Sequence, residues 1–172
     1  MSDIPPKSID MNIRKVTLED AEKVGEIYNY YIQNTHHTFE TEPLSVELTR
    51  KRIGKVIADF PFLVAEQDGE IFGYAHAAQF KLRQAYEHSA EVSIYVKNQS
   101  KQRGIGSLLY EKLFDKLEDT DIHALVAGIS LPNDASVKFH EKMGFEKVAH
   151  FKEVGYKLGR WIDVGYWEKF NF

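Results

Sequence analysis

Apolar positions along the chain alternate between short continuous runs and sets at helical spacing. Residues 12–16 carry a short strand pattern, and Thr17 with Asp20 then makes a capping-box-like start. Ala21, Val24, Ile27, Tyr28 and Tyr31 follow at helical spacing, and 45–58 reads as a second helix between Pro43 and Pro61. Residues 62–65 form a strand, Gln67–Asp68–Gly69–Glu70 a hairpin turn, and 71–78 the returning strand. A polar, aromatic-bearing loop over 81–88 leads into a central strand at 90–96. Ile105, Leu108, Leu109, Leu113 and Leu117 mark a third helix, and 123–129 another apolar strand. Pro132–Asn133–Asp134 breaks the pattern and can cap a helix over 135–142, with Gly144 placed to end it. Residues 145–156 and 161–170 read as a closing pair of strands joined at 157–160. Strand, two helices, three strands, helix, strand, helix and two strands predict an α/β (α+β) fold, with a mixed central sheet and helices on both faces.

Length changes this picture little. The chain has 172 residues, enough for one domain over 11–172 with a real core. Residues 1–10 lack the apolar stretch of a signal peptide and read as a loose polar lead-in. A net charge of −4 runs against a nucleic-acid partner. The absence of cysteine removes disulfides, thiolate zinc sites and a cysteine nucleophile. No apolar run approaches the roughly 20 residues of a membrane span, so the expectation is a soluble cytoplasmic protein with no membrane partner.

Candidate chemistry concentrates where the central strand ends. Glu91–Val92–Ser93–Ile94–Tyr95–Val96 runs into Lys101–Gln102–Arg103–Gly104–Ile105–Gly106–Ser107, a basic turn that opens a helix. Gly104 and Gly106 let backbone amides approach a phosphate, and the amides of a helix start favour an anion. Two glycines alone fit an anion site and a tightly packed helix start about equally. A P-loop would need a Lys–Ser/Thr pair after its second glycine, and the dinucleotide fingerprint a third glycine. Neither is present. His36–His37 has no third ligand at a sensible spacing, which leaves a solvated turn rather than a metal site.

The turn and its surroundings resemble the GNAT acetyltransferase superfamily, whose motif is Gln/Arg-x-x-Gly-x-Gly/Ala. Here the six positions read Lys101–Gln102–Arg103–Gly104–Ile105–Gly106, with Lys in the first place as a departure. Asn133, Ala135 and Phe139–His140–Glu141–Lys142–Met143–Gly144–Phe145 are similar to the family's late coenzyme A motif. Five further segments, in order, look like the phosphinothricin and methionine sulfoximine acetyltransferase group. They are Phe39–Glu40–Thr41–Glu42–Pro43, Arg83–Gln84–Ala85–Tyr86, the strand from Glu91, Leu131–Pro132–Asn133–Asp134, and the stretch over 155–165.

The resemblance implies acetyl transfer from acetyl-CoA, without a metal, to the amino group of a small amino acid or analogue. Glu91 would be the general base and His140 the proton donor to the leaving thiolate. Ile94, Tyr95 and Val96 would pair with the pantetheine arm through their backbone, with an amide near Ile94 stabilising the oxyanion. Gln102, Arg103, Gly104, Ile105, Gly106 and Ser107 would hold the pyrophosphate, and Asn133 the arm. Phe39 and Tyr86 would flank the acceptor side chain. Arg83 fits a bidentate hold on a carboxylate and an exposed loop charge equally well. The resemblance also implies a homodimer, for which the aromatic closing strands offer a surface. A different amine acceptor, such as a peptide N-terminus or polyamine, and a non-catalytic acetyl-CoA-binding module are the competing readings.

Overall fold

The computed structural model describes residues 11–100 and 103–171; the lead-in 1–10 and the motif positions Lys101 and Gln102 lie outside them. Seven strands form one sheet in the order β1-β2-β3-β4-β5-β7-β6. In chain order the elements are β1 (Asn12–Lys15), α1 (Ala21–Asn34), α2 (Val46–Ile57), β2 (Phe62–Gln67), β3 (Glu70–Gln79), β4 (Ser89–Val96), α3 (Ile105–Glu118), β5 (Ala124–Leu131), α4 (Asp134–Lys142), β6 (Glu146–Lys157) and β7 (Arg160–Phe170). Among the described residues, no helix is long and apolar enough to cross a membrane.

Local chemistry accounts for most boundaries. Asp20 accepts from the Thr17 amide at 2.8 Å, which satisfies a donor ahead of α1. Ser45 caps α2 by accepting from the Leu48 amide at 3.1 Å. At the β2–β3 hairpin Asp68 and Gly69 both have positive φ (52° and 78°), the geometry of a tight two-residue turn. Leu158 and Gly159 (53° and 74°) do the same between β6 and β7.

Period-2 alternation splits the sheet into two buried faces. Leu63, Ala65, Ala75, Ala77, Ala90 and Val92 pack against Ile105, Leu109, Tyr110, Leu113 and Leu117 of α3. On the other face Phe62, Val64, Ile71 and Tyr74 pack against Ala21, Val24 and Ile27 of α1 and Ile53 of α2. The alanines on the α3 face let that helix lie close to the strands.

One joint in the sheet is incomplete. β4 and β5 are its parallel pair, and they pair only at Ser89–Ala124, Ala90–Leu125 and Glu91–Val126. β4 remains paired to β3 up to Val96, while β5 pairs with β7 along its whole length. From Val92 onward, therefore, β4 keeps β3 on one edge and, among the described residues, has no strand on the other. Tyr31 of α1 holds its end, donating to the Val96 carbonyl at 2.6 Å.

Candidate active site

The diverging strands open a cleft of about 640 Å³, lined on one side by Val92–Val96 and Gly104–Ser107 and on the other by Ile129, Ser130, Asn133 and α4. Gly104 is the N-cap of α3, with φ +87°, a left-handed conformation that favours glycine. Gly106 lies against Phe139 of α4, whose ring atoms would be 3.2 and 3.3 Å from an added Cβ. The helix start thus presents its amides at the cleft with no side chain in front of them, the arrangement an anionic group needs. Arg103 is exposed and does not line the cleft.

Asn133 does two jobs. Its Oδ1 caps α4 by accepting from the Ser136 amide at 3.2 Å, and the residue borders the cleft with its Nδ2 unpartnered among the described residues. An open strand edge, bare helix amides and a free side-chain amide suit a long ligand that alternates amides with methylenes and ends in phosphates. Tyr30 and Tyr31 add an aromatic wall from α1.

A second cavity of about 490 Å³ lies on the α1/α2 side of the sheet, lined by His37, Thr38, Phe39, Glu91, Gly128, Ser130, Phe151, Val154, Val164 and Tyr166. His37, Gly128 and Ser130 border both cavities, so they mark the opening between them. Glu91 is the last residue of β4 paired to β5, its Oε1 3.7 Å from where a Gly128 Cβ would stand. Burial pushes its carboxyl above the ordinary value. Phe39 lies on Gly155, whose missing side chain makes room for the ring. Residues 152–154 bulge from β6, since Phe151 pairs Val164 while Gly155 pairs Ile162. The bulge aims Phe151 and Val154 at the cavity. A third cavity, of about 470 Å³ and lined by α2, Tyr74 and His76, does not include Glu91.

His140 borders the cleft between the diverging strands but is buried, with both ring nitrogens engaged. Nδ1 is 2.8 Å from the Ser136 carbonyl, which can only accept, so Nδ1 carries the hydrogen. Nε2 then accepts from the Tyr110 hydroxyl at 2.9 Å. Burial lowers the imidazole's pKa, opposed by the Ser136 contact. Tyr110 also borders the cleft, with its one hydroxyl hydrogen held on His140 Nε2. Tyr110 was hidden in the sequence as one more apolar-face position of α3.

Arg83 and Tyr86 stand apart. Arg83 is exposed at the start of a short 3-10 turn, and Tyr86 packs edge-on against Phe80; neither lines the Glu91 cavity or the cleft. The expectation of a solvated His36–His37 turn is corrected. His36 is buried between the Pro132 carbonyl (2.8 Å from Nε2) and Arg160, which donates to Nδ1 at 2.8 Å. These partners lie far along the chain, which is why local composition suggested solvent. Lys157 adds a 2.8 Å bond to the Thr38 carbonyl. Together they fix the 36–39 segment, and His37 with it, over the opening.

Residues 13–165 match the family model described as Acetyltransferase (GNAT) domain. A phosphinothricin N-acetyltransferase of Streptomyces coelicolor is 37% identical over 168 residues, covering 95% of this chain and 98% of that one. An L-methionine sulfoximine/L-methionine sulfone acetyltransferase of Salmonella typhimurium is 30% identical, covering 90% and 91%. Among solved structures, a GNAT superfamily phosphinothricin acetyltransferase from Sinorhizobium meliloti in complex with AcCoA superposes with a TM-score of 0.89 at 28% identity, over 94% of this chain and 89% of that one.

Proposed function

This chain belongs to the GNAT acetyltransferase family, whose members here are acetyl-CoA-dependent N-acetyltransferases, and we propose that it acetylates the α-amino group of a small amino acid or analogue of the phosphinothricin, methionine sulfoximine or methionine sulfone type. The observation that carries this reading is Glu91: a half-buried carboxylate in the acceptor cavity, at the point where the strands part beside the acetyl-CoA cleft. The names of the relatives supply the acceptor class.

In this reading the amine enters from the Phe39 side and gives a proton to Glu91, directly or through water. Its lone pair attacks the thioester carbon at the opening, where a backbone amide near Ile94 receives the developing negative charge. The carbon–nitrogen bond forms, the carbon–sulfur bond breaks, and the thiolate takes up the proton that the nitrogen sheds on becoming an amide, with the Tyr110–His140 pair at the cleft wall as the relay. Gly104, Ile105, Gly106 and Ser107 hold the pyrophosphate end, Tyr95, Val96 and Asn133 the arm, and Arg103 sits at the rim. Phe39, Phe151 and Val154 leave an apolar acceptor pocket of modest size. Thiol release from acetyl-CoA, followed colorimetrically across methionine sulfoximine, methionine sulfone, phosphinothricin, common amino acids and a peptide amine, tests the assignment. Turnover is expected with the first three. Acetyl-CoA binding without turnover on any amine would replace the reading with a sensor.

We also propose a homodimer, built on the β6–β7 hairpin, in the cytoplasm where acetyl-CoA is available. Val148, Tyr156, Leu158 and Trp161 are 52%, 60%, 60% and 62% exposed there, next to Phe151 and Val154 at the acceptor cavity. Such a cluster on one hairpin is apolar surface that a monomer rarely leaves open. Light scattering on the purified protein should give twice the chain mass, and Trp161→Glu should give one chain mass. A monomeric native protein would remove the dimer.

A further inference from the structure

We propose that Ser130 Oγ is a second hydrogen-bonding partner of the acceptor nitrogen, accepting the one N–H that the amine keeps. This rests on the reading of Glu91 as the base.

Ser130 is 7% exposed. Among the described residues, its Oγ is a buried side-chain polar atom with no hydrogen-bond partner. A buried hydroxyl left unpaired costs roughly 1–3 kcal/mol, so native structures seldom keep one without a use. The hydroxyl is covered as it stands, but its residue forms a cavity wall, so a rotation about χ1 can turn Oγ toward the opening. Ser130 borders both the acetyl-CoA cleft and the acceptor cavity, together with His37 and Gly128.

Placement along β5 then limits what the hydroxyl can touch. Gly128 and Ser130 are two residues apart and share a face of the strand, about 7 Å from each other. The Glu91 carboxylate stands over Gly128. Two hydrogen bonds meeting at one nitrogen span just under about 6 Å. A nitrogen between the Glu91 carboxylate and Ser130 can therefore reach both. The Tyr166 ring, across the ladder from Gly128, packs 3.3 Å from where a Gly128 Cβ would stand and walls the site on that side.

The hydrogen balance supplies the need. A primary ammonium and acetyl-CoA give an amide, coenzyme A thiol and one proton. Of the three ammonium hydrogens, one leaves through Glu91, one is matched by the hydrogen gained by sulfur, and one stays on the amide nitrogen. The carbon–nitrogen bond forms along the lone pair, so the retained N–H needs an acceptor held in place throughout the step, which mobile solvent in the cavity does not supply. Ser130 Oγ is an acceptor without another partner among the described residues, on a residue that borders both cavities. Holding that hydrogen also fixes rotation about the nitrogen and points the lone pair at the thioester.

A secondary amine has no hydrogen to retain, which gives the test. Acetylation of methionine sulfone and of N-methyl methionine sulfone is compared in the native protein, Ser130→Ala, Ser130→Thr and Glu91→Gln. Native turnover of methionine sulfone checks the functional reading by itself. Ser130→Ala should lower kcat/KM for the primary amine about tenfold, the loss of one bond to the reacting nitrogen, and leave the N-methyl acceptor little changed. Ser130→Thr should restore most of the primary rate. Glu91→Gln should slow both acceptors alike. The melting temperature of Ser130→Ala should not fall, because the hydroxyl has no partner to lose. Equal losses on both acceptors, or a loss that tracks lowered stability, would overturn the role. Slower amine-free hydrolysis of acetyl-CoA in Ser130→Ala would also overturn it, by placing the hydroxyl on the thioester.

Discussion

Glu91→Gln is expected to lower turnover by about a hundredfold to ten-thousandfold, the range for losing a positioned proton acceptor, while the KM for acetyl-CoA stays unchanged. The substitution keeps shape and removes only the ability to take a proton. It should not unfold the protein. Burial raises the Glu91 carboxyl above its unfolded value. A carboxyl shifted in that direction costs stability as the pH rises from the unfolded-state value through the folded-state one, because the unfolded chain ionises more easily. Gln carries no such cost, so Tm should hold or rise. The same shift fixes the sign of the pH dependence. Only the ionised carboxylate accepts a proton, so kcat/KM for the amine rises as pH rises through the elevated Glu91 value. The acid limb therefore lies above the usual carboxylate range and disappears in Glu91→Gln, leaving only the amine's own ionisation. Thiol release measured from acid to alkaline pH on both proteins checks this. Unchanged turnover in Glu91→Gln would remove the residue from the mechanism.

Gly106→Asp should raise the KM for acetyl-CoA about a hundredfold with the fold intact. An acidic side chain in the first turn suits the positive end of α3 and so favours the helix itself. It also puts a negative charge where the bare amides face the pyrophosphate. Two unit charges about 5 Å apart at an effective dielectric near 20 repel by about 3 kcal/mol, which is about a hundredfold in binding. The Phe139 ring, at 3.2 Å from the new Cβ, must give by a few tenths of an ångström. Gly106→Ala carries that crowding without the charge and should change KM by no more than a few-fold. Initial rates at varied acetyl-CoA, with thermal melts of both variants, separate the two contributions. Equal KM values for Ala and Asp would show that crowding, not charge, governs the position.

Much of this architecture is legible in local chemistry. Asp68–Gly69 turns the hairpin, Ser45 starts α2 and Gly144 ends α4 with φ +89°, because each residue's own backbone preference decides the matter. The glycine turn and Asn133 are legible for the same reason. The divergence of β4 from β5 is not, since Val92 to Val96 has strand character whether or not a neighbour lies beside it. Ser130 reads as one polar position in an apolar strand, and only the tertiary fold shows that its hydroxyl is buried and unpaired. His36 misleads because its partners, Pro132 and Arg160, are remote in sequence. Arg83 shows the opposite limit: its charge chemistry is legible, but where its loop lies relative to the cavity is not.

The free edge of β4 has a consequence for how the protein lives among other chains. An exposed strand edge is adhesive, because its unpaired peptide groups offer a template to any extended polypeptide, and proteins usually blunt such edges with charge, proline or a cover. Here the edge is kept bare but internal, flanked by the start of α3 on one side and by α4 on the other. A polypeptide strand brings side chains on both faces and is too thick to slide between them. A slender unbranched arm with amides along its length is not. The molecule thereby keeps a sticky edge while guarding against aggregation through it, and the filter is the girth of what approaches.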